Sequence, residues 1–357
     1  MARVHIVGAG PAGCIAGISA LEAGHEVIIS EDHPVSGIPE NCSGLFSKDG
    51  LDSLRRFVDY SPFVIRPMYG ARIHLAGETL GVRRKSPVGF VCDRAALDQA
   101  LSSRAECKGA RINYGERIRD SFHSTNVIGA DGPLSAVARH FSFPAIPSYA
   151  ATLQAELPYR PEDPDSVEVF LSNRLFPGFF GWIIPHDEYT AEFGVGVELP
   201  NRAAGAWQAL LRLKGMESRV RPRGAVIPIS TRAKTGRKSG NLNVLLAGDA
   251  AGQVKSTTGG GVIFGGNCAS IAGRHATDPL RYELEWSLRF GADLAAHQLI
   301  HRYLRSLDER GLCALGRRLK KLGCDEFLSS HGHMDRPTRM IGPALVSHVV
   351  RSLIGVS

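Results

Sequence analysis

A glycine-rich turn near the N-terminus constrains the fold more than any other segment of the chain. Residues 4–7 are apolar and lead into the turn Val7-Gly8-Ala9-Gly10-Pro11-Ala12-Gly13, and residues 17–23 have the composition of a helix. A second apolar strand, residues 27–29, then ends in Ser30-Glu31-Asp32. The order strand, glycine turn, helix, strand and acid within one compact unit predicts a βαβ nucleotide-binding motif.

The spacing of the three glycines fits the binding of a dinucleotide. Gly8 makes the turn, Gly10 lets backbone amides approach a pyrophosphate, and Gly13 lets the helix pack closely on the strand. The pyrophosphate then lies at a helix N-terminus, where unpaired amides and the positive end of the dipole favour an anion. Glu31 follows at the spacing expected of a carboxylate that binds ribose hydroxyls. Dinucleotide binding is therefore favoured over a chance surface turn.

Composition limits the partners and the compartment. The 357 residues are enough for two or three lobes, and the net charge of +7 suits an anionic cofactor, a phosphorylated substrate or an acidic membrane surface. Aromatic and basic residues do not alternate, so no nucleic acid is expected as a partner. The seven cysteines form no CxxC pair and the 13 histidines do not cluster, so neither a disulfide framework nor a metal site is predicted.

No segment indicates export or a membrane span. A cofactor strand that begins at residue 3 leaves no room for a secretory signal, and no run approaches the ~18 apolar residues that a spanning helix needs. We therefore expect a cytoplasmic protein that is at most peripheral, on the inner face of the cell membrane.

Three further segments indicate that the dinucleotide is FAD rather than NAD. Residues 127–139 form a strand that ends in Gly129-Ala130-Asp131-Gly132, a pattern also typical of an ordinary turn. Residues 245–252 form a strand that brings Asp249 to where its carboxylate can accept hydrogen bonds from ribityl hydroxyls. Residues 257–262 place three glycines before an apolar helix, so the backbone can approach an isoalloxazine ring and the helix dipole faces its N1–C2 edge.

The expected fold is α/β with α+β insertions. A Rossmann-type FAD-binding domain is predicted from the discontinuous residues 1–60, 89–144 and 240–278. A strand-rich substrate domain with an antiparallel sheet is predicted at 61–88 and 145–239, and a short helical C-terminal region at 279–357.

Four stretches resemble the motifs of one family of flavoenzymes. Residues 38–45 resemble its Pro-x-x-Cys-Ala/Gly-Gly loop, residues 91–98 its Asp-Arg helix start, and residues 180–185 its Tyr-x-Trp-x-Phe-Pro motif. Residues 248–262 resemble its Gly-Asp-Ala-Ala-Gly…Thr-Gly-Gly-Gly block. The set is similar to the geranylgeranyl reductases, including archaeal digeranylgeranylglycerophospholipid reductases, among the FAD-dependent oxidoreductases of the p-hydroxybenzoate-hydroxylase fold.

The resemblance implies a set of cofactor contacts. The adenosine and pyrophosphate would lie against Gly8, Gly10, Ala12, Gly13 and Glu31. The adenine would meet the backbone of Ile118. The flavin and its ribityl chain would be contacted by Cys42, Ser43, Gly44, Arg94, Asp249, Gly261 and Val262.

The resemblance also implies a reaction, the saturation of isoprenoid C=C bonds of a geranylgeranyl lipid by hydride from N5 of reduced FAD. The lipid would be an archaeal-type membrane lipid precursor or a similar prenyl substrate. An isolated alkene has no carbonyl to stabilise the forming charge, so a proton must be delivered with the hydride. The sequence contains one nucleotide-binding unit, so the electron donor is expected to bind transiently, either NAD(P)H or a small electron carrier such as ferredoxin.

Cys42 and a group of apolar side chains are expected at the substrate. Cys42 is a candidate catalytic residue that either donates a proton or shapes the pocket, although buried cysteines are mostly inert. Phe180 and Trp182 are two apart on a strand and face the same side. With Pro185 they are predicted to line the prenyl site, and the alternative is a pair of core aromatics.

Several assignments remain open at this point. Basic side chains at 83–85 and 232–238 are candidate contacts for a phosphate headgroup, with a solvated rim as the alternative. The apolar residues 340–354 either lie on a bilayer or close the core. A flavin-dependent monooxygenase or halogenase is the first rival function, because residues 180–185 also resemble the halogenase Trp-x-Trp-x-Ile-Pro pattern. A non-catalytic FAD electron-transfer protein is the second.

Overall fold

The computed structural model describes residues 1–340. The strands are β1 (Arg3–Val7), β2 (Glu26–Glu31), β3 (Leu45–Ser47), β4 (Val64–Met68), β5 (Gly70–Leu75), β6 (Glu78–Arg83), β7 (Gly89–Cys92), β8 (Arg111–Tyr114), β9 (Asn126–Gly129), β10 (Tyr149–Pro158), β11 (Ser166–Leu171), β12 (Gly181–Pro185), β13 (Thr190–Glu198), β14 (Arg223–Pro228), β15 (Gly236–Ser239) and β16 (Leu242–Leu246). The α-helices are α1 (Pro11–Glu22), α2 (Lys48–Leu54), α3 (Arg94–Cys107), α4 (Ala136–His140), α5 (Ala203–Leu213), α6 (Val262–Arg274), α7 (Pro279–Trp286), α8 (Ala292–Ser306), α9 (Glu309–Lys321) and α10 (Cys324–His331).

A six-stranded sheet in the order β15-β16-β9-β1-β2-β8 forms the first layer of the fold. Strands β16, β9, β1, β2 and β8 are parallel, and β15 pairs antiparallel with β16 at the edge. Val4 and Ile6 of β1 are fully buried, as expected of a parallel sheet that is covered on both faces. The predicted α/β class with a Rossmann-type sheet is confirmed.

A seven-stranded sheet in the order β14-β10-β13-β12-β11-β5-β6 forms the second lobe, and all its neighbouring strands are antiparallel except β11 and β5. Residues on β13 alternate between its two faces. Phe193, Val195 and Val197 are fully buried in one cluster with Leu210 of α5. Glu192 and the glycines 194 and 196 lie on the opposite face, because successive strand residues point to opposite sides.

Smaller elements surround the two larger sheets. Strands β3, β7 and β4 form a three-stranded antiparallel sheet. Helices α9 and α10 contact β6, where Arg317 and Lys320 pair with Glu78. The expected helical C-terminal region is therefore present up to residue 340. The boundary expected at residue 240 falls within the hairpin of β15 and β16. Strand β15 pairs with β16 and therefore belongs to the six-stranded sheet, although its residues lie before this boundary.

None of the helices within residues 1–340 is long and apolar enough to cross a bilayer. The candidate membrane contact at 340–354 lies, apart from Met340, outside the described residues.

The cluster under α5 provides a test of this packing. Leu210 is fully buried beside Trp207, whereas Leu213 on the same helix is 51% exposed. We expect Leu210→Ala to lower the free energy of unfolding by about 2–5 kcal/mol, because it removes buried methyl groups and leaves a cavity. The control Leu213→Ala should change it by less than about 0.5 kcal/mol. Urea unfolding followed by Trp fluorescence measures both, and equal losses would contradict the packing.

Candidate functional site

The first glycine turn brings the N-terminus of α1 against the end of β1. Gly8 has a φ of +102° and a Cβ there would clash with the carbonyl of Ala130, while a Cβ at Gly13 would clash with the carbonyl of Gly8. At Gly10, by contrast, a Cβ would meet no atom within 4 Å. Gly8 and Gly13 are therefore required by the fold, whereas Gly10 keeps the space before the helix open.

The N-terminus of α1 is free to receive an anion. Gly10 provides no side-chain cap and the first turn, which contains Ala12, carries no acidic residue. Glu31 at the end of β2 accepts hydrogen bonds from the backbone N–H of Ala9 at 2.7 Å and of His33 at 3.0 Å. The carboxylate thus holds the glycine turn in place and lies beside it, where a ribose would be bound.

Asp249 and the N-terminus of α6 lie next to the same turn. A Cβ at Gly248 would be 2.8 Å from the Cβ of Ala12, and a Cβ at Gly265 of α6 would be 2.8 Å from the Cα of Gly248. Gly261 is the N-cap of α6 and Val262 its first residue, and Gly261 has no side chain with which to cap the helix. Missing side chains thus let α1, α6 and the loop after β16 converge.

Arg94 and Asp98 form the charged wall of this region. The guanidinium donates to the two carboxylate oxygens of Asp98 at 2.7 and 3.0 Å. Burial alone would lower the pKa of Arg94, but the carboxylate of Asp98 and the neighbouring Cys42 hold it above its ordinary value. Burial raises the pKa of Asp249, and the charge of Arg94 opposes that effect. The cation of Arg94 therefore lies within electrostatic reach of Asp249 and Cys42.

The loop that contains Cys42 is fixed by its backbone. Gly44 has a φ of +68°, a conformation that favours glycine, and its carbonyl accepts from the N–H of Cys92 at 2.9 Å. The N–H of Gly44 points to the sulfur of Cys42 at 3.4 Å. The loop therefore presents the half-buried Cys42 and Ser43 to the adjoining cavity.

Two adjacent cavities follow this loop. The larger cavity, of about 910 Å³, is lined by Arg94, Asp98 and Asp249 together with residues 37–41 and parts of β10 and β14. The second, which we call the polar cavity, has about 470 Å³ and is lined by Cys42, Ser43 and the polar face of the seven-stranded sheet. Glu40 lines both. These volumes are in the range of small-molecule and cofactor sites.

The aromatic residues predicted at the substrate pack together. The rings of Phe180 and Trp182 are 5.5 Å apart and both side chains are buried. Phe180 also lines a cavity of about 20 Å³ with Thr257, at the start of the loop that leads to α6. Pro185 pairs in register with Ala191, whose side chain belongs to the α5 cluster. It therefore lies on the opposite face of β12 from Trp182, away from the aromatic pair.

The sequence analysis missed the buried polar groups of the polar cavity. Strand register aligns Gln154 with Arg223 and Glu156 with Glu192 on one face of the sheet. Glu192 is 2% exposed, and within residues 1–340 its Oε1 has no hydrogen-bond partner. Burial raises the pKa of Glu192 to about 8 although Arg223 opposes this effect. A carboxylate directly between the apolar residues Ala191 and Phe193 of β13 was the available signal.

Other candidate residues have structural roles. Asp131 accepts from the hydroxyl of Ser135 and the N–H of Ala136, both at 2.6 Å, and thereby secures the start of α4. Ile118 is buried in a cluster with Val7 and Val127, so its side chain packs under the six-stranded sheet and only its backbone is available to a ligand.

Most of the basic headgroup candidates bind other parts of the chain. Arg83 pairs with Asp163 and Asp165. The remaining guanidiniums donate to backbone carbonyls, Arg84 to Ser329 and Gly332, Arg232 to Ala250 and Pro144, and Arg237 to Phe141 and Ser142. These contacts favour a structural role over headgroup binding.

The residues brought together fit FAD. The uncapped N-terminus of α1 and the open space at Gly10 suit a pyrophosphate, since orphan amides and the helix dipole bind anions. Asp249 is a hydrogen-bond acceptor beside the second uncapped helix, α6. The assignment of individual contacts, including Ser43, Gly44 and Ile118, remains a prediction.

Substitutions at two glycines of the first turn distinguish an effect on folding from an effect on FAD binding. We expect Gly10→Ala to keep the thermal stability of the apoprotein and to weaken FAD binding at least tenfold, because the new methyl group enters the space before α1. Gly13→Ala should fail to fold, since its Cβ would overlap the carbonyl of Gly8. Fluorescence titration with FAD and thermal melting measure the two effects. Unchanged affinity in Gly10→Ala would contradict the proposed pyrophosphate position.

Comparison with known proteins places the chain among flavoenzymes. No family model matches it. It is 28% identical to the digeranylgeranylglycerophospholipid reductase of Methanothrix thermoacetophila over 340 residues, which are 82% of this chain and 85% of that protein. It is also 28% identical to the geranylgeranyl diphosphate reductase of Rhodobacter capsulatus over 300 residues, 76% of this chain and 73% of that protein.

Solved structures agree on the fold. A geranylgeranyl bacteriochlorophyll reductase-like protein from Thermoplasma acidophilum has a TM-score of 0.78 at 19% identity and covers 100% of this chain and 99% of its own. A flavin-dependent brominase has a TM-score of 0.66 at 16% identity, with 100% of both chains covered. The resemblance predicted from the motifs is confirmed: the chain is similar over most of its length to proteins named as geranylgeranyl reductases, and it has the fold of flavin-dependent enzymes.

Proposed function

We propose that this protein is an FAD-dependent reductase that saturates isoprenoid C=C bonds of a geranylgeranyl lipid. The observation that carries the proposal is the position of the Cys42 loop, which borders the polar cavity and lies beside Arg94 of the FAD region. The motif of this loop resembles one of the geranylgeranyl reductases, and the relatives described above are named as reductases of geranylgeranyl groups.

Different residues would bind different parts of the cofactor. The first turn of α1 would hold the pyrophosphate and Glu31 the ribose, while Asp249 and the start of α6 would hold the ribityl chain and the ring edge. Bound and reduced FAD supplies the hydride. The protein's own contribution is to align the substrate with the flavin and to exclude water from the reacting carbon atoms.

The substrate side suits an apolar chain with a polar end. Apolar side chains contribute to the wall of the larger cavity, among them Leu134, Leu153, Leu199, Val226 and Ile227. The transfer of an isoprenoid chain from water to such a surface is favourable. Phe180 and Trp182 remain predicted substrate contacts, and the role of Pro185 is less directly supported because it lies on the other face of β12.

A transient electron donor completes the proposal. Within residues 1–340 the parallel sheet is the single Rossmann-type sheet, so reducing equivalents would come from NAD(P)H at the same face or from a small electron carrier. A flavin-dependent halogenase or monooxygenase is the second candidate function, because a brominase shares the fold. Rapid oxygen consumption by the reduced enzyme with an aromatic substrate would favour it.

The reaction class is tested by expression in a host that makes geranylgeranyl lipids. We expect the purified protein to be yellow with bound FAD, and the host's prenyl lipids to gain two mass units for each bond saturated. Mass spectrometry of extracted lipids measures the gain, with Gly10→Ala as the control that should lose it together with FAD. Unchanged lipid masses in the presence of FAD-loaded protein would contradict the proposal.

Cys42 is tested separately from flavin binding. We expect Cys42→Ala to retain FAD, because the loop is held by the backbone of Gly44 and Cys92, and to lower the rate of prenyl reduction because the thiol borders the polar cavity. Cys42→Ser is the matched control for side-chain volume. Turnover near wild type in both variants, with full FAD content, would exclude a catalytic role.

A further inference from the structure

We infer that Glu192 is the residue that donates the proton required when a C=C bond is reduced. The inference rests on the proposed function, since only an alkene reduction needs this proton. It identifies a residue of the seven-stranded sheet, outside the motifs of the FAD site.

The geometry places the carboxyl group in the cavity that the Cys42 loop closes. Glu192 lies on β13 on the face opposite the α5 cluster, and Cys42 and Ser43 line the same 470 Å³ polar cavity. Its Oε2 lies 3.4 Å from the guanidinium of Arg223, while its Oε1 is buried without a hydrogen-bond partner within residues 1–340. A buried oxygen without a partner is costly. The indole Nε1 of Trp182 is also buried without a hydrogen-bond partner within residues 1–340 and interacts with the same carboxyl group, so a bound molecule would complete the contacts of both.

The surroundings keep the carboxyl group protonated near neutral pH. Burial raises the pKa of Glu192 to about 8, and the charges of Glu40 and Glu156 add to that effect, while Arg223 and the indole N–H of Trp182 oppose it. Burial likewise raises the pKa of Glu40. The other charged or titratable groups that line the polar cavity are Cys42, Cys92, Asp93, His186 and Arg221.

One of these groups is poorly suited to give the proton. Burial, together with Cys42 and Asp93, raises the pKa of the Cys92 thiol to about 12, which makes it a weak acid. The Nδ1 of His186 lies 2.5 Å from the carboxylate of Glu156, but its Nε2 is buried without a hydrogen-bond partner within residues 1–340. Glu40, His186 and Cys42 are therefore the competitors, and the experiment below separates them from Glu192.

The step is balanced in atoms and electrons. The π bond of the alkene would break, one carbon would form a C–H bond with the hydride that reduced FAD supplies when bound, and the other would form a C–H bond with the proton of the Glu192 carboxyl. The carboxylate that remains is stabilised by Arg223 and takes a proton from water before the next turnover. Arg223 thus stabilises the Glu192 carboxylate enough for the proton to leave, but not so much that the carboxylate cannot be protonated again.

Glu192→Gln tests the inference, because the amide keeps the shape of the protonated acid but donates no proton of comparable acidity. Full-length protein loaded with FAD is reduced with dithionite, and single-turnover reduction of geranylgeranyl diphosphate is followed. We expect FAD content and melting temperature near wild type and a rate lower by at least roughly 100-fold, a usual effect of a general acid. Glu192→Asp keeps the acid and should keep a measurable rate.

The pH dependence and an infrared signal provide readouts that a merely structural role would not move. Because the acid form is the donor, the wild-type rate should fall about tenfold per pH unit above the pKa of about 8. A carboxylic acid C=O stretch should disappear over the same range, and should be absent from Glu192→Gln. The control Glu168→Gln alters a buried glutamate of the same sheet that is paired with Lys214 and His74, and should lower stability but keep the pH profile.

Several outcomes would overturn the assignment. A wild-type rate and pH profile in Glu192→Gln would exclude Glu192 as the proton donor and leave the reductase proposal intact. The same conclusion would follow if Cys42→Ala, but not Glu192→Gln, abolished the fall of the rate at high pH. Absence of prenyl reduction in the wild-type protein would overturn the reductase proposal and the proton donor with it.

Discussion

The structure depends on the close approach of backbone to backbone at the glycine turn after β1. A side chain at Gly13 would overlap the carbonyl of Gly8, and one at Gly8 would overlap that of Ala130. The same principle recurs at Gly248 and Gly265, where α6 reaches the loop that carries Asp249. Because these contacts leave no room for a Cβ, two helix N-termini converge at the edge of the parallel sheet, and an anionic dinucleotide can be bound there largely by backbone amides.

The second lobe contributes polar side chains to the cavity because the residues of its strands point alternately to the two faces of the sheet. On β13, apolar residues face α5 while Glu192 faces the polar cavity, and Gly194 makes room for the indole of Trp182. A buried carboxyl without a full set of partners destabilises a fold. It is retained on the face that meets the Cys42 loop, where a substrate would complete its contacts. The same sheet thus provides a core on one side and lines the polar cavity on the other.

Sequence patterns predicted those parts of the fold that depend on residues close together in the chain. The βαβ unit was predicted because the apolar strands, the glycines and the acid all lie within about thirty residues. The helix start expected within residues 91–98 is likewise local: Asp93 is the N-cap of α3, and its side chain accepts from the N–H of Ala96. Asp131 shows the limit of such patterns. Its Asp-Gly turn resembles a cofactor motif, but its carboxylate caps α4.

The sequence by itself determined the nucleotide-binding unit, the FAD-type motifs and the resemblance to geranylgeranyl reductases, because these depend on residues close together in the chain. Tertiary structure alone decided which polar groups meet across the polar cavity, since Gln154, Glu192 and Arg223 come from three strands joined by register. It also decided that Arg83 and Arg84 are engaged by distant parts of the chain. The physical reason is that burial and pairing of charges depend on long-range packing, which no local period encodes.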